Sequence, residues 1–200
     1  MSVRLFPTDV LFLQRILAVS GFYNGPFNGK WTSKVDAAEG QFLARYEQIK
    51  GQAGAFDSRT ESCIMSLIPV AQVKAREFMN AVQGRPLTYR IISGTRTYAE
   101  QNALFAKKPK VTNARGGQSN HNFGIAWDVG IFENGKYYGG ETQKEDKAYV
   151  ELGGFINAHV PGLEWGGDWK SFVDKPHYQL ATGKSVAQVR ALLEKGKPYV

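Results

Sequence analysis

Apolar positions change their period along this chain, and each change marks an element. Val10, Leu13, Ile16 and Leu17 recur at helical spacing, with Thr8 placed to cap the first turn. Ser20-Gly21 ends that helix, and a turn-rich aromatic stretch, 21–29, follows. A second helix starts at Thr32 or Ser33 and lines up Val35, Ala38, Phe42 and Tyr46 on one stripe. Ser58 and Glu61 stand at capping-box spacing before a helix to about residue 67. Pro69 suits the first position of the next helix, which runs to about residue 82. The period then drops to two: Leu87, Tyr89 and Ile91 alternate with Thr88, Arg90 and Ile92, which reads as a strand. Thr97 and Glu100 form another capping box, for a helix to about residue 106. Apolar runs at 126–132 and 136–138 flank Asn134-Gly135, a strong two-residue hairpin signal. A helix at 144–159, a Gly/Trp loop, a short strand at 177–180 and a closing helix at 186–195 complete the chain.

This order predicts an α+β protein: a small antiparallel sheet flanked by helices, preceded by a small all-α helical module. The expected division is a helical module at 1–50, a linker at 51–56 within the polar, Gly-containing stretch 48–56, and a second domain at 57–200. At 200 residues the chain is long enough for both parts to own a core.

The formal charge of +7 favours anionic partners such as nucleic acid, anionic lipid or acidic wall polymer. No dense Lys/Arg run and no interleaving of aromatic with basic residues supports nucleic acid, so none is expected. One cysteine, Cys63, excludes a disulfide framework and a multi-Cys metal site, and reads as a small apolar side chain on a helix. The apolar stretch from Val10 to Val19 is broken by Gln14-Arg15, and no small-residue cleavage site follows it. We therefore expect synthesis in the cytoplasm without a signal peptide, and no stable membrane insertion.

The candidate chemistry sits in two strings, Ser119-Asn120-His121-Asn122-Phe123-Gly124-Ile125-Ala126-Trp127-Asp128 and Asp174-Lys175-Pro176-His177. Two histidines and one carboxylate form the ligand set of a catalytic zinc that keeps a position open for water. His121, Asp128 and His177 are the candidate ligands. In strand 126–132, Ala126, Asp128 and Gly130 share a small, open face, while Ile125, Trp127 and Val129 share an apolar one. Pro176 favours an extended backbone leading into His177. Asp174 is within reach of a water beside the metal and can act as general base, or it can pair with Lys170 or Lys175. Arg96, after a strand and Gly94, can hold an oxyanion, or can pair with Glu100. Ser119 can bind substrate or fix the His121 loop. Gln101 can orient Arg96 or serve only as a polar helix residue. Trp165, in Trp165-Gly166-Gly167-Asp168-Trp169, can wall the substrate or simply pack, and Asp168 can support a ligand histidine. His159 stands outside these strings and reads as a helix-end residue.

Ser93-Gly94-Thr95-Arg96-Thr97, the His121–Asp128 string, Trp165-Gly166-Gly167-Asp168-Trp169 and Asp174-x-Pro176-His177, in this order, resemble one family. It is the family of zinc D-Ala-D-Ala carboxypeptidases and L-alanyl-D-glutamate endopeptidases, which includes bacteriophage endolysins, and the resemblance covers about residues 57–180. It implies a D,D-peptidase/hedgehog-like fold, zinc held by His121, Asp128 and His177, Asp174 as base and Arg96 at the oxyanion. Residues 1–50 separately resemble a peptidoglycan-binding module through Leu13-Gln14, Leu17, Gly21-Phe22-Tyr23, Asn28-Gly29, Thr32, Ala38 and Gln41-Phe42. That module usually has Asp-Gly where this chain has Asn28-Gly29, and Gly where it has Trp31.

The resemblances together imply a monomeric, endolysin-like peptidoglycan hydrolase that cleaves the L-Ala–D-Glu bond of the stem peptide. It would act on the bacterial cell wall or in the periplasm after release from a bacteriophage-infected host, with host lysis and antimicrobial action as the outcome. Many relatives use Glu as base, and the Asp-x-Pro-His form is more typical of the endolysin-like endopeptidases. Two alternatives stay open: a D,D-carboxypeptidase trimming terminal D-Ala, and a non-catalytic wall-binding protein.

Overall fold

The computed structural model describes residues 6–200, so the first five positions of the expected N-terminal module lie outside the described residues. Two helices come first, α1 (Pro7–Val19) and α2 (Ser33–Ala53). Pro7, not Thr8, opens α1, because its fixed φ and missing N–H suit the first helical position. Gln14 is fully buried on the inner face of α1 and fastens the aromatic loop to it. Its Oε1 accepts from the Asn28 and Gly29 amides at 3.0 and 3.1 Å, and its Nε2 donates to the Lys30 carbonyl at 3.0 Å.

Helices α3 (Ser58–Met65) and α4 (Pro69–Ala81) follow. The expected Ser58–Glu61 capping box does not form. Asp57 caps α3 instead, accepting from the Arg59 and Thr60 amides. Glu61 turns inward and accepts from Arg76 Nη2 at 2.7 Å and from Tyr46 hydroxyl at 2.5 Å. Residues 51–56 divide between the last turn of α2 and a stretch tied to this group. There the Gly54 carbonyl accepts from Arg76 Nη1 at 2.8 Å, and the Phe56 amide donates to Glu61 at 2.8 Å. One buried ion pair thus joins α2, α3 and α4.

The sheet is built from β1 (Thr88–Ser93), β2 (Ala126–Glu133), β3 (Lys136–Tyr137), β4 (Leu163–Trp165) and β5 (His177–Leu180). Its order is β1-β2-β5-β4, all antiparallel, with β3 paired to the far end of β2. Asn134 and Gly135 adopt φ of 50° and 81° between β2 and β3, the backbone a two-residue hairpin needs. Strand β4, where a loop was expected, owes its three residues to pairing with β5. Between β1 and β2 the register slips at Ile92, a bulge directly beside Asp128.

Helices α5 (Tyr98–Ala106), α6 (Gln143–His159) and α7 (Val186–Glu194) complete the fold. The Thr97–Glu100 capping box forms as expected. Ile125, Trp127, Val129 and Ile131 are fully buried and form the core with α4 and α6; Phe78 of α4 meets the Trp127 ring edge-on at 6.4 Å and Tyr178 at 4.7 Å. The first two helices share this core: α2 packs on α4 and α1 on α7, and Phe12 meets the Tyr98 ring at 6.1 Å. The opposite side of the sheet, at Asp128, opens to a cleft. No helix among the described residues is long and apolar enough to cross a membrane.

Candidate metal centre and cleft

His121 sits in a short 3-10 turn, Asn120–Phe123, ended by Gly124 at φ 68°. A left-handed residue is required there, and a Cβ would also lie 3.0 Å from Ile68, so glycine suits it on both counts. The turn is held by partners distant in sequence. The Arg96 amide donates to the His121 carbonyl at 3.0 Å, the Ile68 amide to the Gly124 carbonyl at 3.0 Å, and the Tyr199 hydroxyl to the Phe123 carbonyl. β2 then carries Asp128, and β5 starts opposite it at His177.

Residues 174–177, expected to be extended, form a hydrogen-bonded turn in which the His177 amide donates to the Asp174 carbonyl at 3.1 Å. The Asp174 amide donates to the Gly166 carbonyl at 3.0 Å, and a Cβ on Gly166 would strike the Asp174 carbonyl. Lys175 pairs with Asp146, which leaves the Asp174 carboxylate free of it. Trp165 closes the same turn from behind, donating Nε1–H to the Lys175 carbonyl at 2.7 Å.

Three candidate ligand atoms converge. His121 Nε2 lies 3.1 Å from Asp128 Oδ1 and 3.2 Å from His177 Nδ1, and the last two are 3.3 Å apart. A tetrahedral zinc with bonds near 2.0–2.1 Å needs ligand atoms roughly 3.3 Å apart, so the triangle has the right size for it. The other ring nitrogens face acceptors: His121 Nδ1 is 2.7 Å from the Gly94 carbonyl, and His177 Nε2 is 3.0 Å from Gln179 Oε1. Each ring thus has a place for its proton away from the triangle, as ligating imidazoles require. The residues present therefore fit a zinc ion.

Burial pushes the Asp128 carboxyl up, but the two histidines outweigh it and hold it well below the usual carboxylate range. Burial dominates at His121 and lowers it, whereas at His177 the bond to Asp128 wins and raises it. Burial and the nearby Asp128 charge raise Asp174.

These residues line an open cleft of about 760 Å³ with Arg96, Ser119 and Trp169. Arg96 places Nη2 3.4 Å from Asp128 Oδ2, while Glu100 is occupied by the helix cap. Trp165 is buried and lies outside the cleft lining; Trp169 takes that wall, its ring 4.9 Å from His177. Gln101 does not reach Arg96. It is buried, and its Nε2 donates to the Ala114 carbonyl at 2.9 Å, holding the loop that forms another wall. Asp168 supports no ligand histidine; it accepts from Asn157 at 2.9 Å. His159 bonds its own helix at the Phe155 carbonyl, 2.8 Å away. Sequence reasoning missed Gln179 and Asn120, although the two-residue period of β5 puts Gln179 on the face of His177.

The arrangement belongs to the metallopeptidase class, and comparison with known proteins gives the family. A family model described as D-alanyl-D-alanine carboxypeptidase matches residues 112–180. The peptidoglycan L-alanyl-D-glutamate endopeptidase CwlK of Bacillus subtilis (strain 168) is 34% identical over 127 residues, covering 57% of this chain and 73% of that protein. The chain belongs to this family, the M15 peptidases, whose members are zinc-dependent in general. The solved structure of the Serratia marcescens L-Ala D-Glu endopeptidase ChiX is similar with a TM-score of 0.48 at 22% identity, over 64% of this chain and 90% of that one.

Proposed function

We propose that this protein is a peptidoglycan hydrolase that cuts the amide between L-Ala and D-Glu of the stem peptide. The observation that carries the reading is the meeting of His121, Asp128, His177, Asp174 and Arg96 at one open cleft. The choice of bond is supported by the name of the Bacillus subtilis relative.

His121 Nε2, Asp128 Oδ1 and His177 Nδ1 would hold the zinc. A zinc ion supplies Lewis acidity, which polarises a carbonyl and makes water acidic near neutral pH. Asp174 takes a proton from the attacking water and hands it to the departing amine nitrogen as the C–N bond breaks. Arg96 donates hydrogen bonds to the carbonyl oxygen as that atom gains negative charge. Trp169 and the 111–114 loop wall the cleft and position the peptide. Arg96→Met is expected to lower kcat by roughly 10²–10³, with zinc content unchanged by atomic absorption.

Residues 1–50 would dock the enzyme on the wall and raise its local concentration at the polymer. The Asp174-x-Pro176-His177 string supports a bacteriophage lysis role, in which a monomeric enzyme made in the host cytoplasm reaches the wall on release.

Mass spectrometry of digested sacculi tests the reading. New N-terminal D-Glu, produced by the zinc-loaded protein and lost with a chelator, is the expected product. Release of D-Ala alone would instead make it a D,D-carboxypeptidase, the activity described for the matching family model. No release of either product would leave a wall-binding protein.

A further inference from the structure

The two candidate histidine ligands present different nitrogens, Nε2 from His121 and Nδ1 from His177. A neutral imidazole carries one proton and can ligate only through the other nitrogen. His121 has its choice made by the backbone: the Gly94 carbonyl can only accept, so the proton belongs on Nδ1. His177 has no such fixed partner. Its Nε2 faces Gln179, whose side-chain amide ends in an acceptor on one side and a donor on the other.

If the Gln179 amide turned over, its NH2 would face His177 Nε2, the ring proton would move to Nδ1, and the ligand nitrogen would be blocked. Asp128 favours that wrong form, because its carboxylate lies 3.3 Å from His177 Nδ1 and attracts a proton there. One contact opposes the turnover, and a second accompanies that contact. Glu164 Oε2 lies 2.7 Å from the Gln179 nitrogen, and a carboxylate can only accept, so the NH2 must point to Glu164. Asn120 donates its Nδ2–H to Gln179 Oε1 at 2.7 Å from the other side. Asn120 is itself an amide with a donor and an acceptor end, so the constraint comes from Glu164: with that carboxylate in place Oε1 must face His177, and the ring proton stays on Nε2.

We propose that Glu164 is a positioning residue for the metal centre, acting through Gln179 to hold His177 in the tautomer whose Nδ1 is free to ligate. The inference rests on the zinc reading given above, and it adds a residue at the exposed edge of β4, on the far side of Gln179 from the metal position. Supporting partners of ligand histidines typically change metal affinity 10–100-fold.

Two measurements on the full chain test it. Zinc affinity is read by chelator competition, and the 15N shifts of the neutral His177 ring are read in metal-free protein. Glu164→Ala is expected to weaken zinc binding about tenfold and to shift His177 toward the Nδ1–H form. Glu164→Gln, whose amide oxygen can still accept from Gln179, should recover most of both. Glu164 is exposed, so neither change threatens folding. Wild-type affinity and an unchanged tautomer in Glu164→Ala would overturn the proposal. Failure of the wild type to bind zinc would overturn the zinc reading alone, since the ring shifts still report whether Glu164 sets the tautomer.

Discussion

Replacing Asp174 by Asn is expected to lower kcat by roughly 10²–10⁴-fold, the contribution typical of a positioned proton acceptor, while zinc stays bound. The two effects separate because of how Asp174 is held. Its place in the 174–177 turn depends on backbone groups: its amide bonds Gly166 and its carbonyl bonds the His177 amide. Asn keeps the same shape and both bonds, so His177 is still delivered to the triangle. Only the ability to accept and return a proton is lost. Single-turnover kinetics on a soluble stem-peptide substrate, with zinc counted by atomic absorption, checks the result. Full turnover in Asp174→Asn would remove this residue from the mechanism, and loss of zinc would show that it supports the metal instead.

Glu61→Ala should destabilise the fold by about 3–5 kcal/mol, because it leaves the Arg76 guanidinium buried without its counter-ion. Arg76 is 1% exposed, so water cannot take the place of the carboxylate. Tyr46 would lose its acceptor as well, in a position where burial and the bond to Glu61 already push its hydroxyl up to about 12. Replacing both charges, as in Glu61→Leu with Arg76→Met, should recover much of the loss, since an apolar pair of similar volume needs no compensation. Urea unfolding of the single and double variants measures this. The pair also gives stability a pH dependence. Burial alone would raise Glu61, but bonds from Arg76, Tyr46 and the Phe56 amide outweigh it and depress its pKa in the folded state. Stability from this carboxylate is therefore fully present above its ordinary value of 4.5 and is lost as pH falls through the lower folded value. The acid limb of the urea midpoint should flatten in Glu61→Ala.

Glu61 also shows where sequence reading stops. Thr97-x-x-Glu100 and Ser58-x-x-Glu61 spell the same capping signal, yet only the first forms the box. The difference lies in Arg76 and Tyr46, each 15 positions from Glu61, which draw its carboxylate away. Signals complete within a few residues, such as Asn134-Gly135, Pro69 at a helix start and the alternation at 87–92, translated directly into structure. Leu163-Glu164-Trp165 is too short to declare itself a strand, and becomes one only when β5 pairs with it. At the site, the candidate ligands stood out in the sequence because few side chains can bind a metal, and the fold brings them together. Their supports did not stand out: a backbone carbonyl at Gly94 has no sequence signature, and Gln179 looks like any polar strand residue. Trp165 and Trp169 flank the same glycines, and only the fold decides that one packs and the other faces the cleft.

The hold on the His121 turn has a consequence for the order in which the fold closes. Its three clasps come from Ile68, Arg96 and Tyr199, and the third lies 76 positions beyond Phe123. Contacts this far apart in sequence close late in folding, after the chain entropy between them has been given up. A chain that reaches only as far as α7 holds the Ile68 and Arg96 clasps and lacks the third, from Tyr199. The turn that carries His121 is thus completed only once the segment after α7 has folded back onto it.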